Sequence, residues 1–189
     1  MEADAPAGAQ VTTDPLRALA SLRAVRRYTS DPVGDDVLDR ILEAGRWTGS
    51  ARNRQPWRIA VVRDPGRRAE LARLGAYAGH LRDAPVVLLL AVDTAAGGAD
   101  AEFDAGRLAQ TLMLAAAAVG LGSCPVTFFP DGNVARATAI AGTAPPWRVR
   151  TGIALGRPAP PAPRTGRPAI PAGRRPRSEL LIEPSSASP

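Results

Sequence analysis

At 189 residues, with 45% hydrophobic and 22% charged positions, the chain is large enough for one globular domain with its own core. No run of about 18 apolar residues escapes polar interruption, and the start MEADAPAGAQVTTD has neither a basic nor an apolar stretch, so neither a membrane span nor a secretory signal is expected. The net charge of +6 comes from arginine alone; without lysine there can be no Schiff-base lysine, and with 4% aromatics and no binding module, no nucleic-acid partner is expected.

In chain order, residues 1–13 read as a disordered N-terminus, and Asp14-Pro15 caps a helix through LRALASLRAVR. TSDPVG at 29–34 is a turn. The next helix, DDVLDRILEAGRWT, carries Val37, Leu38, Ile41, Leu42 and Gly45 on one stripe, with two acids in its first turn. A polar loop, GSARNRQP, leads into a strand WRIAVVR with Trp57, Ile59 and Val61 on one face. Asp64-Pro65 opens a third helix with Leu71, Leu74 and Ala78 on one side. After Pro85, VVLLLAV predicts a strand covered on both faces.

TAAGGAD at 94–100 reads as loop, and residues 101–119 as a long helix apolar nearly all round in its second half. Such a helix is buried on more than one side, and a second subunit is the expected second cover. A strand CPVTFF, a helix NVARATAIAG and a strand WRVRTGIALG follow. The last strand alternates with Trp147, Val149, Thr151, Ile153 and Leu155 on one face. From residue 157 the composition turns to proline and arginine, too stiff and polar for a core, yet it runs into SELLIEP. A stiff arm with an apolar end predicts a segment that docks on a partner subunit. The organisation is thus a domain at 14–156 and an arm at 157–189.

One histidine and one cysteine offer no metal cluster of recognisable spacing. His80, near a helix end, is expected on the surface. Cys124 reads as a buried structural thiol; a lone cysteine closes no internal disulfide, which fits the cytoplasm. There is no dinucleotide glycine fingerprint and no nucleophile elbow, so no catalytic side chain is assigned and redox chemistry falls to a bound cofactor. Three segments could grip a phosphate and a heterocycle: Arg23-Ala24-Val25-Arg26-Arg27-Tyr28, Ser50-Ala51-Arg52-Asn53-Arg54-Gln55-Pro56-Trp57, and Arg174-Arg175-Pro176-Arg177. Guanidinium groups clamp phosphate, and amide side chains pair with a polar ring edge.

The order of these segments resembles the FMN-dependent nitroreductase family: R-x-V-R-x-Y, then Asp31-Pro32-Val33, then S-x-x-N-x-Q-P-W entering a strand. Asp104-Ala105-Gly106 in the long helix, Gly120-Leu121-Gly122-Ser123 after it, Leu155-Gly156-Arg157-Pro158, and the basic tail running into Ser178-Glu179-Leu180-Leu181 extend the match over roughly 15–182. The resemblance implies an α+β fold with a mixed central sheet flanked by helices, in an intertwined homodimer with a C-terminal arm. It also implies FMN at the interface, with NAD(P)H as co-substrate and a small-molecule electron acceptor, of nitro or quinone type, reduced by ping-pong hydride transfer.

Residues that match the family's cofactor contacts are Arg23, Ala24 and Arg26; Ser50, Ala51, Arg52, Asn53 and Gln55; Pro125, Val126 and Thr127 on the strand beside the ring; and Arg175 and Arg177 on the arm. The chain departs from the pattern at Leu22, where an arginine is usual, at Gly49, where proline is common, and at Thr127-Phe128, where some members carry Glu-Gly. Two other readings stay open: a specialised flavin oxidase or deazaflavin-linked reductase, and a non-catalytic flavin-binding or storage member.

Overall fold

The structure is a computed structural model, and it describes residues 14–160 and 173–182. The reading of residues 1–13 as disordered, and of much of the arm, lies outside the described residues. In chain order the elements are α1 (Pro15–Ser21), α2 (Asp35–Arg46), β1 (Trp57–Val62), α3 (Pro65–Leu71), β2 (Val86–Asp93), α4 (Thr94–Gly97), α5 (Ala101–Ala118), β3 (Gly122–Thr127), α6 (Asp131–Ile140) and β4 (Trp147–Gly156).

Asp14-Pro15 and Asp64-Pro65 start helices, because the carboxylate satisfies an amide that the first turn leaves open. Asp14 accepts the Leu16 amide at 2.9 Å, and Asp64 accepts that of Arg67 at 2.8 Å. The first helix stops at Ser21, short of the predicted Arg26. Residues beyond it pair with the sheet instead: Ala24 bridges Ser123, the Val25 amide donates to the Ser123 carbonyl at 2.8 Å, and Tyr28 bridges Pro158. Helix propensity loses here to sheet pairing. The stretch at 94–100, predicted as loop, is helical, because Asp93 accepts the amides of Ala95 and Ala96.

The four strands run antiparallel in the order β1-β2-β4-β3, and the parallel Ala24–Ser123 bridge makes the pairing mixed at the outer edge of β3. β2 is the buried spine, as its unbroken apolar run predicts. Val87, Leu89 and Ala91 point to one core; Val86, Leu88 and Leu90 point to the other. The first core is closed by α3, the turns after it and α6, through Leu71, Leu74, Ala78, Leu81, Val134 and Ala137. The second is closed by Leu38 and Ile41 of α2 and by Leu108, Leu112 and Ala116 of α5. A Cβ on Gly45 would stand 2.7 Å from Leu112 Cδ2, so this glycine lets α2 and α5 approach closely.

β4 departs from its predicted alternation. Its register against β2 shifts between Leu90 and Ala91, so Arg150 has no partner there and the strand bulges. Trp147 and Val149 consequently face the first core, while Ile153 and Leu155 face the second. The extra residue flips every side chain beyond it. α3 is also shorter than its apolar stripe implies: Leu74 and Ala78 are buried from the turns that follow.

Candidate functional site

A pocket of about 380 Å³ opens along the outer edge of β3. Pro125, Val126 and Thr127 form one wall, Arg26 stands on another, and the turn Gly75–His80 closes the third. The Ala24–Ser123 bridge fixes where Arg26 stands, since it holds the chain two residues earlier. Arg26 has no carboxylate partner among the described residues, and no carboxylate lines the pocket. Two rings, Tyr77 and Phe129, stand at the rim, 86% and 77% exposed.

His80 is not the surface residue the sequence predicts. It is half-buried in the pocket wall; Nδ1 lies 3.1 Å from the Tyr77 carbonyl and must carry the proton, while Nε2 is buried without a hydrogen bond. Burial lowers its pKa, helped by the Arg26 charge and opposed by the Tyr77 carbonyl. Cys124, beside it on β3, is buried as predicted, and desolvation raises its thiol. Burial also pushes the Tyr28 phenol upward, and its hydroxyl donates to the Val25 carbonyl. None of these groups is ionised near neutral pH, so Arg26 dominates the local charge.

The second segment forms a pinned loop at the start of β1. Ser50 Oγ accepts the Gln55 amide at 2.8 Å, and Gln55 Nε2 donates to Asn53 Oδ1 at 3.0 Å. Arg52, Asn53 and Gln55 hold left-handed backbone at φ 52°, 53° and 48°, a conformation that costs non-glycine residues energy and persists only under external restraint. The restraints are visible. Arg54 Nη1 donates to the Gly97 carbonyl at 3.0 Å, and the carboxylate of Asp104, 2% exposed on α5, accepts the Ala51 amide at 2.9 Å. Arg107 stands 3.6 Å from Asp104.

The remaining predicted residues lie apart. Arg23 turns its guanidinium back onto the Ala20 and Leu22 carbonyls at 2.7 and 2.9 Å, capping α1. Arg175 and Arg177 are exposed, and neither guanidinium has a partner among the described residues. Beyond them Leu180, Leu181 and Ile182 are 68%, 56% and 92% exposed. One chain therefore gathers Arg26 with Pro125–Thr127, but not with the Ser50–Gln55 loop. That loop leads into β1, the edge strand at the opposite side of the sheet from β3.

Sequence reasoning missed His80, Tyr77 and Phe129 as pocket residues. It noted Asp104 only within a motif, because the hydrogen bond with Ala51 spans 53 positions and carries no local signal.

Comparison with known proteins agrees with this architecture. The nitroreductase family model matches residues 19–78 and 66–157. An FMN complex of a nitroreductase-family protein from Desulfovibrio desulfuricans superposes with a TM-score of 0.76 and 33% identity, covering 91% of this chain and 98% of that one. An NADH dehydrogenase of Thermus thermophilus is 45% identical over 80 residues, which are 42% of this chain and 39% of that protein. The NAD(P)H-dependent FMN reductase of Bacillus subtilis is 32% identical over 78 residues, 41% of this chain and 31% of its own length. With these two curated relatives the match thus spans well under half of their length. On the family match and the fold, the chain belongs to the nitroreductase family.

Proposed function

We propose that the chain binds FMN and, as a homodimer, uses NAD(P)H to reduce a small organic acceptor of nitro or quinone type. The observation that carries this reading is the β3-edge pocket, where Arg26 is left without a counter-charge beside Pro125–Thr127. The donor set fits the cofactor. A guanidinium with no carboxylate nearby attracts a phosphate or the electron-rich edge of a ring, and wall residues of modest polarity admit a flat heterocycle. When bound, FMN supplies two-electron transfer between NAD(P)H and the acceptor, taken in turn at one face.

The chain's own residues bind and orient. Arg26 offers a fixed positive charge, and Pro125, Val126 and Thr127 give the ring a wall. The Ser50–Gln55 loop brings hydroxyl and amide groups already held in place, so little ordering is lost on binding. Two observations favour the dimer. The loop and the pocket sit at opposite sheet edges of one chain, and the arm presents Leu180, Leu181 and Ile182 uncovered. A second copy would bring its loop to the first copy's pocket, cover the arm, and let Arg175 or Arg177 reach a phosphate.

The absorbance spectrum of the purified protein, with mass spectrometry of the released cofactor, tests the reading. A yellow protein that releases FMN and is bleached by NADPH or NADH without oxygen is the expected result. Bound FMN that neither nucleotide bleaches would point to a storage role. Apo-protein that takes up no FMN would end the proposal.

A further inference from the structure

We propose that Asp104 is a positioning residue: from α5 it sets the shape of the Ser50–Gln55 loop before any cofactor arrives. The inference rests on the reading of that loop as part of the FMN site. Four observations carry it. Asp104 is almost fully buried, in the helix behind the loop, and its Oδ2 accepts the Ala51 amide at 2.9 Å. A buried carboxylate is costly unless bonded. Its other oxygen stands 3.6 Å from Arg107 Nη1, whose side chain is half exposed.

The Arg107 guanidinium in turn lies against the loop: a Cβ built on Gly49 would meet its Nη2 at 3.2 Å. The place where the family commonly carries proline is thus occupied by the one residue without a side chain to crowd that arginine. Finally, the loop itself strings three left-handed, non-glycine residues within four positions. Such a backbone relaxes toward commoner conformations unless something over-determines it. The Ala51 bond is made immediately before the first of these residues, at Arg52, so Asp104 holds the loop where the unusual conformation begins. Ser50 and Arg54 then fasten the other end, on Gln55 and on Gly97.

The unit therefore has two parts. Asp104 supplies the acceptor that fixes Ala51. Arg107 places its guanidinium 3.6 Å from the other carboxylate oxygen and packs against Gly49. Ser50, Asn53 and Gln55 gain from this a fixed orientation, which lowers the ordering cost of binding.

The test uses the full-length protein with three variants and two readouts. Hydrogen exchange of the peptide spanning residues 49–56 in apo-protein reports loop order without any cofactor. Titration with FMN reports affinity. Asp104→Ala should speed exchange in that peptide while leaving β2 protected, and weaken FMN binding roughly 10- to 100-fold, as expected for losing a charge-assisted bond. Asp104→Asn keeps an acceptor for the Ala51 amide and should recover most of both. Arg107→Ala leaves that bond in place and should cost no more than about fivefold, the range of a half-exposed ion pair.

Unchanged loop exchange and unchanged FMN affinity in Asp104→Ala overturn the proposal. So does faster exchange spread evenly over all peptides, which marks a residue that serves the fold alone. If Asp104→Ala does not fold, the Asn variant decides: exchange in the loop as fast as in denatured chain would show that the acceptor is not what Asp104 provides. Wild-type protein that binds no FMN sinks the assignment of the site, while the exchange result still judges Asp104.

Discussion

The loop at Ser50–Gln55 and the arm at 173–182 are both assigned to the same cofactor, yet the single chain treats them in opposite ways. The loop is fastened at Ala51, Arg54 and Gln55, and its uncommon backbone is held by neighbours of the same chain. The arm has only short-range bonds among the described residues, and it leaves three large apolar side chains in water. Uncovered Leu180, Leu181 and Ile182 make little sense in isolation, since burying each is worth about 1.5–3 kcal/mol. On the proposed reading, one half of the site is finished by folding and the other half by association with a second copy. It follows that damage to the arm should read out as assembly, and damage to the pocket as affinity.

The largest effect is expected from removing the arm. The cut belongs after Pro160 and not at 157, because the Arg157 carbonyl accepts the Thr29 amide and the Ala159 amide donates to Arg27. Truncation there keeps the pairing of residues 27–29 with 157–159, next to Arg26, and deletes the three apolar residues along with Arg175 and Arg177. Loss of their burial should weaken the dimer by on the order of 5 kcal/mol per arm. Sedimentation at micromolar concentration and bound flavin per chain measure both consequences. A truncated protein that stays dimeric and fully loaded with FMN would reduce the arm to a solubilising tail.

Next in size is Arg26→Ala. On the proposed reading it removes a charge-assisted hydrogen bond to FMN, from a pocket whose walls hold no other cation, the histidine there being neutral. The expected cost is roughly 2–3 kcal/mol, about 30- to 150-fold in FMN affinity, with dimer mass unchanged. Fluorescence titration of apo-protein checks it. An unaltered dissociation constant would take Arg26 out of the site, and with it the pocket half of the comparison.

How much of this was written legibly in the chain depends on the range of each interaction. The buried spine β2 could be read from VVLLLAV, and the helix starts from Asp14-Pro15 and Asp64-Pro65, because those signals are local. The α2 stripe placed Leu38, Ile41 and Gly45 correctly for the same reason. What local pattern could not reveal is where one segment meets another. The helical run 15–26 ends early because Ala24 finds Ser123 across the sheet. The alternation in β4 holds on both sides of Arg150 but changes face there, since a bulge depends on the register of the neighbouring strand. The pocket residues Tyr77, His80 and Phe129 are joined to Arg26 only by the fold. Asp104 looks like an ordinary polar position on a helix until Ala51 is placed against it.

The smallest expected effect concerns His80, and it tests whether the pocket is complete in one chain. Burial holds this imidazole below its ordinary value of 6.5, and the Arg26 charge adds to the depression. The folded protein thus prefers the neutral ring, with Nδ1 donating to the Tyr77 carbonyl and Nε2 bare. The unfolded chain binds the proton more readily, so the neutral ring contributes stability above about pH 6.5, and that contribution fades as pH falls through the lower value of the folded state. His80→Gln keeps an amide donor but cannot titrate. Urea unfolding of apo-protein from about pH 8 to about pH 5 should show wild type losing more stability than the variant on the acid side, with the two curves parallel above neutrality. Parallel curves throughout would mean that the ring is as well solvated folded as unfolded. The turn Gly75–His80 would then not close the pocket, and both halves of the site would wait for the second copy.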